Sequence, residues 1–277
     1  MGRLEGKVVF ITGVARGQGR SHAIRFAEEG ADIIGIDVVD SIAGSTSPPA
    51  TQSDMDETVA AVEALDRRII ATKADVRSLE QVKKAVDEGV AQLGRLDVVI
   101  ANAGVSTFMG PAETLTEEAF VDMVDINLTG VWRSCAAAIP HIKAGGQGGS
   151  IIMTSSAAGL MAYANVGHYV AAKHGVVGLM RTLALELATD NIRVNSIHPT
   201  TVDTPMVNNE ATFKLFRPDL DNPTADDFIE AAKVMNAMPI GWVEAVDISN
   251  AMVWLASDEA RYVTGVTLPI DAGAVIK

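Results

Sequence analysis

The run "VVFIT" (residues 8–12) is uninterruptedly apolar, ends in a glycine turn and passes straight into a helical pattern. A strand with one wet face alternates apolar and polar residues, so a run like this needs cover on both faces. "DVVIA" at 97–101 repeats the pattern. Strands are predicted at Lys7–Thr12, Asp32–Asp37, Ile69–Lys73, Leu96–Ile100, Ser150–Thr154, Arg193–His198 and Val266–Ile270. Helical periodicity covers Gly17–Glu29, Leu79–Leu93, Glu117–Lys143 and Tyr169–Thr189. Such alternation predicts parallel strands joined by right-handed crossovers. The expected fold is α/β: a single doubly wound Rossmann-type domain over residues 1–277, with about seven parallel strands and helices on both faces.

Two segments break the rhythm. Val38–Ser53 ("VVDSIAGSTSPPATQS") is rich in Ser and Thr and carries Pro48 and Pro49. A structureless stretch of that length inside a compact domain is functional or disordered. Pro205–Trp242 mixes apolar and acidic residues around Pro218 and Pro223, and is expected to form helical pieces outside the sheet, as a substrate lid or pocket wall. Met206, Phe213, Phe216, Met235, Met238 and Trp242 in it either line an apolar pocket or anchor the lid to the core.

Composition narrows the partners. With 22 basic against 35 acidic residues and a net charge of −13, the clustered Lys and Arg that bind phosphate backbones are lacking, so nucleic acid is not expected. Cys135 is the single cysteine, which excludes an intramolecular disulfide and fits a reducing compartment. No run approaches the ~18 apolar residues of a membrane span, and the N-terminal apolar run is too short for a signal peptide. The chain is expected to be soluble and cytoplasmic. Its five histidines show neither a metal-binding spacing nor a cluster with cysteine, so no metal is expected.

"TGVARGQG" (Thr12–Gly19) lies between the first strand and the first helix, where Gly13, Gly17 and Gly19 would let backbone N–H groups approach a pyrophosphate. The spacing is not the common GxGxxG, and a glycine turn alone is equally a structural turn. Asp37, ending the second strand, can accept hydrogen bonds from the adenosine ribose hydroxyls and would repel a 2′-phosphate, favouring NAD over NADP. Arg16 in the glycine loop is the opposing signal, since a guanidinium there could meet a 2′-phosphate. Tyr169 and Lys173 in "YVAAK" are four apart, which stacks them on one helix face. Alone, that pair is an ordinary surface pair as readily as a proton-transfer device.

Taken in order, "TGVARGQG", "ADV" (74–76), "ANAG" (101–104), "INLTG" (126–130) and "SSAAG…YVAAK" (155–173) resemble the short-chain dehydrogenase/reductase family over essentially the whole chain. The resemblance implies a catalytic Asn127, Ser156, Tyr169 and Lys173. Ser156 rather than Ser155 stands thirteen residues before the tyrosine, as that family requires. It implies cofactor contacts from Gly13, Arg16, Gly17, Gln18 and Gly19, from Asp37, from Asp75 and Val76 at the adenine, and from Asn102, Ala103 and Gly104 at the riboses. Lys173 would also hold the nicotinamide ribose beside Tyr169, and Pro199, Val202 and Thr204 would hold the carboxamide end. Thr200 stands where relatives carry glycine, and is expected to narrow the pocket there.

Tyrosine ordinarily titrates near 10, too high for a base at neutral pH. A lysine ammonium and an oxidised nicotinamide nearby would lower that value. Tyr169 would then take the hydroxyl proton of an alcohol while Ser156 bonds the substrate oxygen and Asn127 holds a relay water. His168 and His174, flanking the pair, are read as helix-surface histidines.

The Val38–Ser53 insertion and "HPTTVDTPM" resemble the mycofactocin-associated, carveol-dehydrogenase-like branch of this family. That resemblance implies NAD held so tightly that it does not exchange, an insertion closing over it, electrons leaving through an external redox carrier (mycofactocin), and a hydrophobic, terpene-like secondary alcohol as substrate. The family also implies a homotetramer built through the long central helices and the region Val263–Gly273. Two alternatives stand beside this reading: a 3-oxoacyl or other carbonyl reductase, and a non-catalytic nucleotide sensor on the same scaffold.

Overall fold

In the computed structural model, residues 2–107 and 109–277 are described. The strands are β1 (Val8–Thr12), β2 (Asp32–Asp37), β3 (Ile69–Lys73), β4 (Val98–Ala101), β5 (Gly149–Thr154), β6 (Ile192–Pro199) and β7 (Thr267–Ile270). They form one parallel sheet in the order β3-β2-β1-β4-β5-β6-β7. The helices are α1 (Gly17–Glu28), α2 (Gln52–Glu63), α3 (Leu79–Leu93), α4 (Glu117–Val124), α5 (Gly130–Gly145), α6 (Gly167–Glu186), α7 (Glu210–Phe216), α8 (Ala225–Ala232) and α9 (Ala245–Ala256).

Successive strand residues point to opposite faces. Val8 and Phe10 accordingly join a core with α3, α5 and α6, while Val9 and Ile11 join one with α1, α2 and α9. All five residues of β1 are buried, as its unbroken apolar run requires. The chain order reverses between β1 and β4, and an open α/β sheet presents its ligand crevice at such a point, outside the carboxyl ends of the strands.

Two expectations need correction. The segment Glu117–Lys143 is not one helix: a π-turn at Asp125–Thr129 separates α4 from α5, with Gly130 N–H donating to the Asp125 carbonyl. Single π-turns inside helices are rare and frequently mark functional sites, and Asn127 sits in this one. The insertion also ends earlier than Ser53. Thr51 caps α2, its hydroxyl accepting from Asp54 N–H while the Asp54 carboxylate accepts from Thr51 N–H, so Gln52 and Ser53 are already helical. Thr-x-x-Asp is the sequence signal for that start.

Within residues 205–242, Phe228 packs against Phe213, Phe216 and Trp242, with ring centroids 4.7–5.7 Å apart. These aromatics anchor the segment. Met206 lines the crevice, and Met238 is exposed. No helix is long and apolar enough to cross a membrane among the described residues.

Candidate active site at the carboxyl edge of the sheet

A cavity of about 300 Å³ lies beyond the carboxyl ends of β1, β2, β3 and β4. Its floor is the glycine loop. Gly13 adopts φ +73°, a left-handed conformation that suits glycine, and a Cβ on Gly19 would run into the Gly13 carbonyl oxygen. The first N–H groups of α1, on Gly17, Gln18 and Gly19, have no partner inside the helix and belong to residues lining this cavity. Asp37 Oδ2 accepts from Ala15 N–H at 3.1 Å and Oδ1 from Val39 N–H at 3.1 Å, which fixes its carboxylate at the rim.

Asp75 and Val76 form the far wall. Burial pushes the Asp75 carboxyl up, but its hydrogen bonds from Arg77 outweigh this and hold it below the ordinary carboxylate value. Asn102 and Ala103 are tied to β1, both N–H groups donating to Thr12 Oγ1, and Asn102 Nδ2 donates to the Thr12 carbonyl at 3.1 Å. Thr204 packs on Gly17.

Arg16 is not offered to a 2′-phosphate. Its guanidinium donates to the Pro48 and Pro49 carbonyls. Burial lowers its pKa. The insertion is also pinned on its other side: Thr46 N–H and Oγ1 donate to the Ser106 carbonyl at 3.0 and 3.2 Å, and Ser45 pairs with Thr107 across a β-bridge. Ile42, Ser45, Ser47, Pro48, Pro49 and Ala50 thereby become wall residues of the cavity.

The second cluster adjoins the first through Gly104. A Cβ there would lie 2.7 Å from Asn127 Oδ1 and 3.7 Å from Lys173 Nζ, so only glycine lets the two approach. Lys173 Nζ donates to the Thr154 carbonyl at 2.9 Å and stands 5.6 Å from the Tyr169 ring centroid. Burial pulls its pKa down to about 8. The Ser156 hydroxyl lies beside the Tyr169 phenol and favours its ionised form. Ser155 faces the other way, donating to the Lys173 carbonyl at 2.9 Å, which joins the end of β5 to α6.

Three expectations change here. Burial pushes the Tyr169 phenol up, the Ser156 hydroxyl beside it only opposing the rise. In the protein alone the neighbouring lysine therefore does not depress it, because desolvation of the phenolate dominates. The Asn127 amide holds Val105, accepting its N–H at 2.8 Å and donating to its carbonyl at 2.9 Å. The Asn127 side chain is thus a clamp on Val105. His168 is buried, its Nε2 bonded to Thr107 Oγ1 at 3.1 Å, while His174 is the exposed histidine.

At the carboxamide end the Val202 side chain is buried in the core. Thr201 O and Asp203 N–H bond Val243, leaving Val202's own N–H and carbonyl directed away from it. The Thr200 hydroxyl donates to Asn236 Oδ1 at 3.0 Å, and Thr200 is not among the residues lining the cavity. Pro199 ends β6 opposite Ile270.

Comparison with known proteins agrees with this arrangement. A family model described as enoyl-(acyl carrier protein) reductase matches residues 13–275. A putative short-chain type dehydrogenase/reductase of Mycolicibacterium smegmatis is 57% identical over 277 residues, covering 100% of this chain and 99% of that protein. The (−)-trans-carveol dehydrogenase of Rhodococcus erythropolis is 54% identical and covers 100% of both. The crystal structure of carveol dehydrogenase from Mycobacterium avium in complex with NAD superposes with a TM-score of 0.99 at 56% identity, covering 100% of both chains. The chain belongs to the short-chain dehydrogenase/reductase family.

Sequence reasoning missed several residues that hold this short-chain dehydrogenase/reductase site together. Thr12, Thr154, Ser155 and Val105 act through backbone carbonyls or single hydroxyls. Ser47, in a stretch without periodicity, gave no signal at all.

Proposed function

We propose that this oxidoreductase oxidises a hydrophobic, terpene-like secondary alcohol with a nicotinamide dinucleotide that stays in place between turnovers. The chain is an NAD-dependent short-chain alcohol dehydrogenase. One observation carries the reading: the Ser156–Tyr169–Lys173 cluster adjoins, through Gly104, a crevice whose residues fit a dinucleotide. The fit rests on the free N–H groups at the start of α1, the Asp37 carboxylate, and two buried polar atoms, Gln18 Oε1 and Ser47 Oγ, that have no hydrogen-bond partner within the protein. Buried polar atoms of this kind call for a ligand.

The glycine loop would hold the pyrophosphate, Asp37 the adenosine ribose, Asp75 and Val76 the adenine, and Asn102 to Gly104 the inner riboses. Pro199, Val202 and Thr204 would hold the carboxamide, with Val202 acting through its backbone. NAD, when bound, accepts the hydride of the carbinol carbon. Tyr169, as phenolate, takes the hydroxyl proton of the alcohol, and Ser156 donates to the same oxygen. Lys173, as the ammonium, stabilises the phenolate by charge and would hold the nicotinamide ribose; the proton taken up by Tyr169 returns to solvent before the next turnover. Since the Asn127 side chain is committed to Val105, its part is to shape the π-turn and the wall that Gly104 and Lys173 share.

Non-exchange follows from the insertion, latched by Arg16 on one side and by Ser106 and Thr107 on the other. Electrons then have to leave through an external carrier, for which the sequence resemblance supplies mycofactocin. A homotetramer in the cytoplasm suits the exposed Trp132 on α5 and Leu185 on α6, and the exposed Tyr262 and Val266 beside β7. The test is to add (−)-trans-carveol to the purified protein without free nucleotide and follow absorbance at 340 nm. The reading expects one reduced nicotinamide per active site from the wild type and none from Tyr169→Phe. A flat trace from wild type holding NAD, across a panel of secondary alcohols, would overturn it.

A further inference from the structure

β6 ends on a proline, and this has a consequence at Ser156. The last backbone rung between β5 and β6 is Ser155 N–H donating to the Ile197 carbonyl at 2.9 Å. In a parallel ladder the next rung would run from the N–H of residue 199 to the Ser155 carbonyl, and Pro199 has no N–H. Pairing therefore stops one residue short of the serine that faces the substrate.

One residue further on, the His198 side chain supplies a donor to Ser156 itself. Its Nδ1 lies 2.8 Å from the Ser156 carbonyl, and its Nε2 lies 2.8 Å from Ser196 Oγ. A carbonyl only accepts, so Nδ1 carries the proton, Nε2 is bare, and the Ser196 hydroxyl donates to it. Both His198 and Ser196 are fully buried. The Ser156 carbonyl also accepts from Gly159 N–H at 2.8 Å, so it is held from two directions. Ser156 Oγ accepts from Ala158 N–H at 3.1 Å, which leaves its own proton as the one to donate onward.

We propose that His198 is a positioning residue for Ser156: beyond the point where the backbone ladder stops, its Nδ1–H holds the Ser156 carbonyl and so aims the Ser156 hydroxyl at the substrate oxygen. The inference rests on the reading of Ser156 as the donor to that oxygen. Burial pulls the imidazole pKa down to about 4, outweighing the bond to the Ser156 carbonyl, which raises it; Lys173 and His174 of α6 lower it further and Asp271 after β7 opposes them. The ring is thus neutral at working pH, with one proton and one use for it. No proton leaves His198 in this scheme.

The test compares His198→Leu, His198→Asn and His198→Gln as purified proteins in single-turnover reduction of bound NAD by (−)-trans-carveol. His198→Leu is expected to lower the maximal rate about 10- to 100-fold, with half-saturation within about threefold of wild type, because a small misplacement at the reacting oxygen is felt in the chemical step. His198→Asn, whose Nδ2 can occupy the Nδ1 position, is expected to recover to within about fivefold. His198→Gln, whose amide reaches toward Ser196 instead, is not. Equal rates in all variants, or equal loss in Asn and Gln, would overturn the proposal. Failure of wild type to turn over would instead remove the reading of the site, and ¹⁵N shifts of His198 then decide separately: the Nδ1–H tautomer supports the clamp and the Nε2–H tautomer contradicts it.

Discussion

The two halves of the crevice are held in different ways. On the Tyr169 side, the reacting residues sit in a frame of bonds between elements: Lys173 on α6 is tied to the end of β5, Ser155 beside Ser156 is tied back to α6, and Asn127 in the π-turn holds the loop after β4. On the Asp37 side the floor is equally firm, but the cover is a loop lacking regular structure, held by Arg16, Thr46 and one β-bridge. Proton transfer needs atoms fixed to a fraction of an ångström. A cover needs only to stay shut, and a few polar bonds can do that. The same crevice thus has a rigid end and a latched end.

Breaking the rigid end should have the largest effect. Tyr169→Phe removes the base and is expected to lower single-turnover reduction by about 10³-fold while bound NAD is retained, which quantifying nucleotide in the denatured variant checks. Asn127→Ala tests the clamp. Leaving the buried Val105 N–H and carbonyl unpaired should cost about 2–4 kcal/mol in urea unfolding, whereas a residue that merely held a water would cost little.

The latched end should yield to Arg16→Ala. Losing charge-assisted bonds to two carbonyls, about 1.5–3 kcal/mol each at most, should speed exchange of bound NAD against labelled NAD about 10- to 100-fold with the fold intact. Unchanged exchange would mean that the insertion is not a latch.

A smaller effect concerns pH. His22 and His198 are buried neutral, with values pulled down by burial to about 3 and about 4 from 6.5. The unfolded chain then binds more protons than the native one below about pH 6.5, so stability falls as pH falls. The two together should cost on the order of 1 kcal/mol between pH 7 and pH 6, and more toward pH 4. Urea unfolding across that range checks the sign; an unchanged midpoint would contradict the burial of these rings as neutral groups.

What was legible in the sequence follows the same division. Parallel strands could be read from runs such as "VVFIT" because a doubly covered strand leaves a local signature, and Tyr169 and Lys173 because one helical turn fixes their spacing. The π-turn was not legible: Asp125–Thr129 has no composition that distinguishes it from the helices around it. Neither were the roles of Arg16, Asn127, His168 and Thr200, whose partners Pro48, Val105, Thr107 and Asn236 lie 22 to 61 residues away. Spacing motifs locate a residue, while its hydrogen-bond partner depends on which loops the fold brings together. The upward shift of Tyr169 was missed for a related reason, since burial of a phenol is a property of the packed site.

The most direct test of the account is the nucleotide content of the protein as purified. The chain would be isolated without added cofactor, desalted, denatured, and the supernatant assayed for NAD and NADP. The account predicts NAD in near one-to-one ratio with protein and almost no NADP. A protein that emerges empty, and works only when NAD is supplied, would contradict the latched crevice; recovery of NADP would contradict the role given to Asp37.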